Sequence, residues 1–269
     1  MPGTAFLPVA TEIVRRAGTI QLSRRQTGFT IDKKGTIDLV TEVDIECERM
    51  ARALLAERHP DHDILAEEFG GATDGRQPSR FRWIFDPIDG TTNYAHGLPI
   101  FCSSLALEID GRVEVGAIFD PSRDELFTAV RGQGAQLNGV PLHVSSTETL
   151  IDALLVTGFP YDIQRREPDL LPIFTAFLEQ ARAVRRLGSA ALDLCYVAAG
   201  RFDGFWEQQL KPWDVAAGAL MVEEAGGRIT GMDGSPFDLM GGHLAASTVP
   251  LHPQLLAVIA TTRAGLSPR

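Results

Sequence analysis

Trp83-Ile84-Phe85-Asp86-Pro87-Ile88-Asp89-Gly90-Thr91-Thr92-Asn93-Tyr94-Ala95-His96 is the stretch on which the reading of this chain turns. Its apolar opening, Trp83 to Phe85, reads as a buried strand that ends on two carboxylates three residues apart. Pro87 fixes its own φ and biases Asp86 toward extended backbone. A tight turn there brings Asp86, Asp89 and the Ile88 carbonyl to one point. Gly90-Thr91-Thr92 then opens a helix, whose free N–H groups suit a phosphate. Hard oxygen ligands beside an anion-binding turn point to Mg²⁺ and a phosphorylated substrate. Taken alone, a strand followed by an Asp-Pro turn explains the segment equally well. The decision rests on whether other carboxylates join it.

Three other segments offer them. Ile64-Leu65-Ala66 reads as a short strand delivering Glu67 and Glu68. Asp38-Leu39-Val40-Thr41-Glu42-Val43-Asp44 leads into a helix over Thr41 to His59, with Val43, Cys47, Met50, Leu54 and Leu55 as its inner stripe and Pro60 at its end. In Lys211-Pro212-Trp213-Asp214, Pro212 suits a first turn and Asp214 complements the helix dipole. Locally, a first-turn acid is explanation enough for Asp214. Yet Glu67, Asp86, Asp89 and Asp214 all fall at element termini, where sites are built, and their mutual repulsion calls for a cation.

The rest of the chain supplies the frame. Residues 4–24 carry apolar side chains at helical spacing (Phe6, Leu7, Val9, Ala10, Ile13, Val14, Ala17, Ile20). Ser103–Ile109, Val113–Phe119 and Leu126–Val130 are strands separated by turns at Asp110-Gly111 and Pro121–Asp124, with Asn138-Gly139 a further turn signal. This predicts an antiparallel meander covered on one face by the first two helices. Beyond residue 148, strands (Ala153–Thr157, Gly204–Trp206, Arg228–Thr230, Leu244–Ser247) alternate with helices (Asp169–Ala181, Ser189–Ala199, Pro212–Ala225, Pro253–Thr262), which predicts an α/β half. The boundary divides an N-terminal α+β metal-binding part, 1–147, from a C-terminal α/β part, 148–269, with a cleft between them.

Bulk properties narrow the partners. The 269 residues are 44% hydrophobic and 22% charged, with a formal net charge of −10 and a pI of about 5.1. Such a balance argues against nucleic acid or an anionic membrane as the main partner. An acidic protein that binds phosphate needs local cations, which metal ions supply. Cys47, Cys102 and Cys195 form no CxxC pair and are odd in number, which fits a reducing cytoplasm and buried small hydrophobes. No basic-then-apolar leader and no membrane-spanning apolar run is read. The histidines show no zinc spacing, and His59 and His62, flanking Pro60, read as a solvated loop. Gly132-Gln133-Gly134 reads as a turn rather than a nucleotide fingerprint.

Asp86–Thr91 with Asn93-Tyr94-Ala95-His96 resembles the first signature of the inositol monophosphatase family. Trp213-Asp214-Val215-Ala216-Ala217-Gly218, running on to Glu224-Ala225-Gly226-Gly227, resembles its second. Ala66-Glu67-Glu68 and the Asp38–Asp44 segment resemble its remaining active-site segments, in the family's order. The resemblance implies an α/β layered sandwich, usually a homodimer, that hydrolyses small phosphate monoesters with Mg²⁺ and is sensitive to Li⁺. It implies that Glu67, Asp86 and the Ile88 carbonyl hold a first Mg²⁺, and that Asp86 bridges to a second completed by Asp89 and Asp214. A third, weaker ion lies near Glu67. Gly90 and Thr91 bind phosphate through backbone N–H groups, and Thr91 works with Asp44 to activate water. Lys33, with Lys34 as its rival, is the phosphate-proximal lysine. Gly188, Ser189 and Ala190 face the hydroxylated part of the substrate and Glu207 binds one of its hydroxyls. By position alone, Glu207 reads equally as an exposed strand-end acid, and Ser189 as an N-cap. Asp193, one turn further on, is in reach of Arg185.

The leading substrate implied is myo-inositol monophosphate, within a class of small polyol or sugar phosphates. Relatives act on fructose 1,6-bisphosphate, histidinol phosphate or adenosine 3′,5′-bisphosphate. A regulatory binding protein on the same scaffold is the other class of reading, and it predicts lost ligands. A Ca²⁺ module is excluded, since no 12-residue EF-hand loop is present.

Overall fold

The computed structural model describes residues 2–33, 39–71, 77–160, 163 and 167–266, and the Lys33 side chain lies outside that set. After a 3₁₀ turn at Pro2–Phe6, α1 runs Leu7–Thr27 and buries Ala10, Ile13, Val14, Ala17 and Gln21. A small antiparallel pair, β1 (Ile31–Lys33) and β2 (Leu39–Thr41), leads into α2 (Glu42–Arg58). Thr41 caps α2 through its hydroxyl, and Asp44 answers by accepting the Thr41 N–H at 2.8 Å. That reciprocal cap fixes where the helix begins and holds Asp44 at its buried end.

Seven strands form the first sheet: β3 (Asp63–Ala66), β4 (Phe81–Asp89), β5 (Cys102–Ile109), β6 (Arg112–Asp120), β7 (Glu125–Val130), β8 (Ala135–Leu137) and β9 (Val140–Pro141). They lie in chain order, antiparallel except for the parallel β3–β4 pair. One part of the sequence reading is corrected here. No tight turn ends the strand at Asp86; β4 continues through Pro87 to Asp89, with its register against β5 slipping between Asp86 and Asp89. Proline has no N–H for the ladder, so the irregularity sits where one is not needed. The freed Pro87 carbonyl is satisfied by Gln21 Nε2 at 2.8 Å and Ser103 Oγ at 2.9 Å.

A second sheet has the order β11-β10-β12-β14-β13, built from β10 (Leu154–Thr157), β11 (Ala183–Arg185), β12 (Gly204–Gln208), β13 (Arg228–Thr230) and β14 (His243–Ser247). Strand β10 pairs in parallel with β11 and β12, while β14 runs antiparallel to β12 and β13. The remaining helices are α3 (Thr91–Ala95), α4 (Leu170–Gln180), α5 (Ala190–Ala198), α6 (Pro212–Glu224) and α7 (His252–Leu266).

The result is a layered α/β sandwich. Helices α1 and α2 cover one face of the first sheet through Ile13, Val14, Leu55, Trp83 and Phe85. Helices α5 and α6 fill the space between the two sheets, where Leu194, Leu220 and Met221 meet Ile118, Phe127, Val156 and Phe205. Helices α4 and α7 close the far face around Ile173, Phe177, Leu155 and Trp206. A Cβ on Gly116 would stand 3.2 Å from Ala217 Cα, and one on Gly218 would stand 2.7 Å from Leu194 Cβ. These close approaches lock α6, and with it Asp214, to both the first sheet and α5.

All three cysteines are buried, as expected. His59 and His62 are not a solvated loop. Their rings stack on each other at 4.7 Å and pack among Phe6, Phe81 and Trp83, and Trp83 Nε1 donates to His62 Nδ1 at 3.0 Å. Burial pushes His62 down to about 4. The Pro60-Asp61 pair between them reads as polar, but the residues just past α2 pack against β4 and Phe6 of the first 3₁₀ turn. Among the described residues, no helix is long and apolar enough to cross a membrane.

Candidate active site

The parallel strands point their carboxyl ends at one place. Beyond β3 comes Glu67; β4 closes on Asp86 to Asp89; β10 runs into Gly158; β11 runs into Arg186; β12 ends with Glu207 and Gln208. These residues line a cleft of about 600 Å³ together with Ile88, Gly90, Thr91, Gly188, Ser189, Ala190, Lys211, Trp213 and Asp214. Carboxyl ends of parallel strands are where open α/β sheets bind ligands, since the loops there are free to be shaped. Of the residues expected at the site, all but Lys33 and Asp44 line the cleft. Asp44 lies just behind it, fully buried. Lys33's side chain is outside the described residues, as is most of the loop Tyr161–Pro168.

Each acid is held by identifiable partners. Asp44 Oδ2 accepts from Thr41 N–H and from Thr41 Oγ at 2.6 Å, and Asp44 Oδ1 lies 3.2 Å from Thr91 Oγ. The Thr91 hydroxyl also reaches the Ile88 carbonyl at 2.9 Å, so its one proton has two acceptors. Asp214, third in α6, accepts the Lys211 N–H at 2.7 Å. Asp89 Oδ2 accepts from Ser189 Oγ and from the Ala191 N–H, each at 2.7 Å. Gly90 precedes α3 with φ +95°, in the left-handed region, and a Cβ there would meet the Ile100 carbonyl at 2.9 Å. Only glycine brings the backbone this near its neighbours in that conformation.

Electrostatically the cleft is strained. Burial raises Asp86 well above the carboxylate range, and the charges of Glu67, Asp89, Asp214 and Asp44 raise it further. Asp214 is raised by burial and then by Asp89. Asp89 is pushed up to about 6 by burial, against the opposing hydrogen bonds of Ser189 and Ala191. Asp86 Oδ1 is buried and has no hydrogen-bond partner. Among the described residues, no three His, Cys, Asp or Glu side chains are gathered tightly enough to hold an ion as they stand. The donor chemistry nevertheless fits Mg²⁺, with hard oxygens only and one buried acceptor left over. A divalent cation held there would attract each carboxylate and so lower the pKa values that burial and mutual repulsion raise.

Glu207 lines the same cleft and is buried rather than an exposed strand-end acid. Burial, then Asp214 and Asp89, raise it, and Arg186 opposes them. Asp193 does not pair with Arg185, whose guanidinium turns to the Val184 carbonyl. Both Asp193 oxygens are buried without a partner, and the cation that acts on it is Arg186. Ser189 stands at the N-cap position of α5 but makes no cap bond there; its hydroxyl goes to Asp89. Arg186, Gly158 and Lys211 were missed as cleft residues, although each directly follows or precedes an element end, which is the signal that found the carboxylates.

A layered α/β scaffold with an acidic, phosphate-sized cleft at its strand ends is thus the class of protein in hand. The chain belongs to the inositol monophosphatase family, whose sequence profile matches residues 4–266. It is 41% identical over 268 residues to the Nus factor SuhB of Escherichia coli K12, covering 97% of each chain. A solved inositol monophosphatase from Anabaena (Nostoc) sp. PCC 7120 is 39% identical, with a TM-score of 0.87 and 97% of each chain covered. An IMPase/NADP phosphatase solved in complex with Mg²⁺ and phosphate is 27% identical, with a TM-score of 0.78, over 89% of this chain and 90% of its own.

Proposed function

We propose that this chain is a Mg²⁺-dependent phosphatase of small polyol or sugar monophosphates, with myo-inositol monophosphate as its first substrate. The observation that carries the reading is one cleft lined by four mutually repelling carboxylates, Glu67, Asp86, Asp89 and Asp214, together with the buried acid Glu207. The Mg²⁺/phosphate complex of the solved IMPase/NADP phosphatase supports the metal. Glu67, Asp86, Asp89, Asp214 and the Ile88 carbonyl would hold two ions, with room near Glu67 for a third. Bound Mg²⁺ would polarise the phosphoryl oxygens and acidify the attacking water.

The chain's own residues do the rest. Gly90 and Thr91 offer backbone N–H groups to the phosphoryl oxygens, where charge spreads in the transition state. Thr91 orients water and passes a proton to Asp44, whose other oxygen is already committed to Thr41 and so cannot swing away. Glu207 accepts a hydrogen bond from a hydroxyl of the leaving group, and Gly188, Ser189 and Ala190 wall that end. Arg186 and Lys211 balance the acidic cleft at its lip. Lys33 is assigned the phosphate contact by its place in the sequence alone. In this reading residues 1–147 bring most of the metal ligands and residues 148–269 bring Asp214 and the substrate contacts. The protein works as a cytoplasmic homodimer with no nucleic acid or membrane partner.

Steady-state phosphate release from myo-inositol 1-phosphate, fructose 1,6-bisphosphate, histidinol phosphate and adenosine 3′,5′-bisphosphate tests the assignment. The highest kcat/KM is expected for the inositol phosphate, with inhibition by millimolar Li⁺. Turnover of none of them would defeat it, and preference for another member would reassign the substrate.

A second reading is favoured by the Escherichia coli relative, which carries the name Nus factor. The chain would then act through a protein or nucleic-acid partner, with or without hydrolysis. Co-purification from cells with Asp86→Asn separates the two: a partner retained by the inactive variant supports this second role.

A further inference from the structure

Asp89 ties the first sheet to the start of α5. It sits at the end of β4 in the first sheet, yet its Oδ2 is bound by Ser189 Oγ and the Ala191 N–H from the start of α5, each at 2.7 Å. A third group, Cys102 Sγ on β5, lies 3.9 Å from the same oxygen and 3.7 Å from Ser189 Oγ. Ser189 and Cys102 are at most 1% exposed. Oδ2 is therefore committed to protein donors, which leaves Oδ1 to serve a ligand.

The same contact explains an omission at α5. A serine at an N-cap position ordinarily turns its hydroxyl back to the helix N–H groups. Ser189 makes no such bond, because Asp89 accepts both the hydroxyl and a first-turn N–H and so caps the helix from another element. The exchange is favourable for both sides: the helix end gains an anion, and the anion gains a fixed orientation.

We infer that Ser189 is a positioning residue for the metal centre. Its hydroxyl, with the Ala191 amide, holds Asp89 as a single-oxygen ligand at a fixed angle, so that the stance of α5 sets the affinity for the ion Asp89 receives. This rests on the phosphatase reading of the cleft. Partners outside the ligand shell commonly govern metal affinity by 10- to 100-fold. The S–H of Cys102 is a weak donor and contributes less.

The test is Mn²⁺ binding measured directly by electron paramagnetic resonance on the full chain, alongside kinetics at saturating Mg²⁺. Ser189→Ala is expected to raise the apparent Mn²⁺ dissociation constant by about 10-fold or more, and saturating Mg²⁺ is expected to recover most of the lost kcat. Ser189→Thr keeps the hydroxyl and restores affinity. If Ser189→Ala does not fold, Ser189→Cys decides: it preserves the side chain's shape with a weaker donor, and a loss of several-fold is expected. Native metal affinity in Ser189→Ala or Ser189→Cys overturns the inference, most plainly if KM rises instead. Failure of the phosphatase reading looks different, since the wild type would then bind no Mn²⁺ at all.

Discussion

Gly158 is where a single methyl separates folding from function. It follows β10 directly, faces the cleft, and has no left-handed φ that would forbid a side chain. A Cβ built there would fall well inside 3.0 Å of both carboxylate oxygens and the carboxyl carbon of Glu207. Those atoms are the far end of a flexible side chain, so Gly158→Ala leaves the backbone in place and displaces the carboxylate by roughly 1 Å. A misplacement of that size costs about 100-fold in catalysis when the displaced group positions substrate. The expected outcome is a cooperative unfolding transition within about 1 kcal/mol of wild type. Alongside it, kcat/KM for inositol phosphate falls by about two orders of magnitude. Hydrolysis of p-nitrophenyl phosphate, which has no polyol for Glu207 to hold, falls far less. Stopped assays for inorganic phosphate on both substrates supply the comparison. Equal losses on the two substrates, or none on either, would refute the role given to Glu207.

Other consequences follow from the same geometry. Gly90→Ala meets both a left-handed φ and the Ile100 carbonyl, so chemical denaturation should register a loss of about 1–2 kcal/mol or more. Asp86→Asn removes a buried acid from among like charges; the metal-free protein should melt a few °C higher, roughly, while the rise in midpoint on adding Mg²⁺ disappears. His62 is pushed down to about 4 from an ordinary value of 6.5. The unfolded chain therefore binds more protons between those values, and the ring's contribution is present above pH 6.5 and is lost as pH falls toward 4. His62→Asn keeps an acceptor for Trp83, and urea midpoints from pH 4 to 7 should vary less steeply than in wild type. Some slope should persist because His252, bonded to Thr230 and Ser247, is held down to about 4 as well.

What the sequence disclosed was set by whether a residue acts through its own segment. The β4 run, the α2 stripe and the Asn138-Gly139 turn are local patterns, and each lies where periodicity and turn chemistry put it. Asp86, Asp89, Glu67 and Asp214 were legible as cleft residues because they stand at or beside element termini. Pro87 misled because a bulge and a turn ask for the same residue, and only the partner strand β5 decides between them. Ser189 misled for the reason that Asp89, 100 positions away, outcompetes its own helix for the hydroxyl. His59 and His62 looked solvated because their neighbours Asp61 and Asp63 are polar, while the rings that cover them come from Phe6, Phe81 and Trp83. Arg186 rather than Arg185 acts on Asp193, a choice made by the direction of β11 and invisible in an Arg-Arg pair.

The central claim is that the cleft carboxylates work as Mg²⁺ ligands for phosphate ester hydrolysis. Phosphate release from myo-inositol 1-phosphate, followed as Mg²⁺ is titrated from a chelated baseline for the wild type and Asp89→Asn, tests it most directly. The account predicts a saturable rise from a negligible rate in the wild type and no comparable rise in the variant. Turnover that ignores Mg²⁺, or that survives Asp89→Asn unchanged, would contradict it.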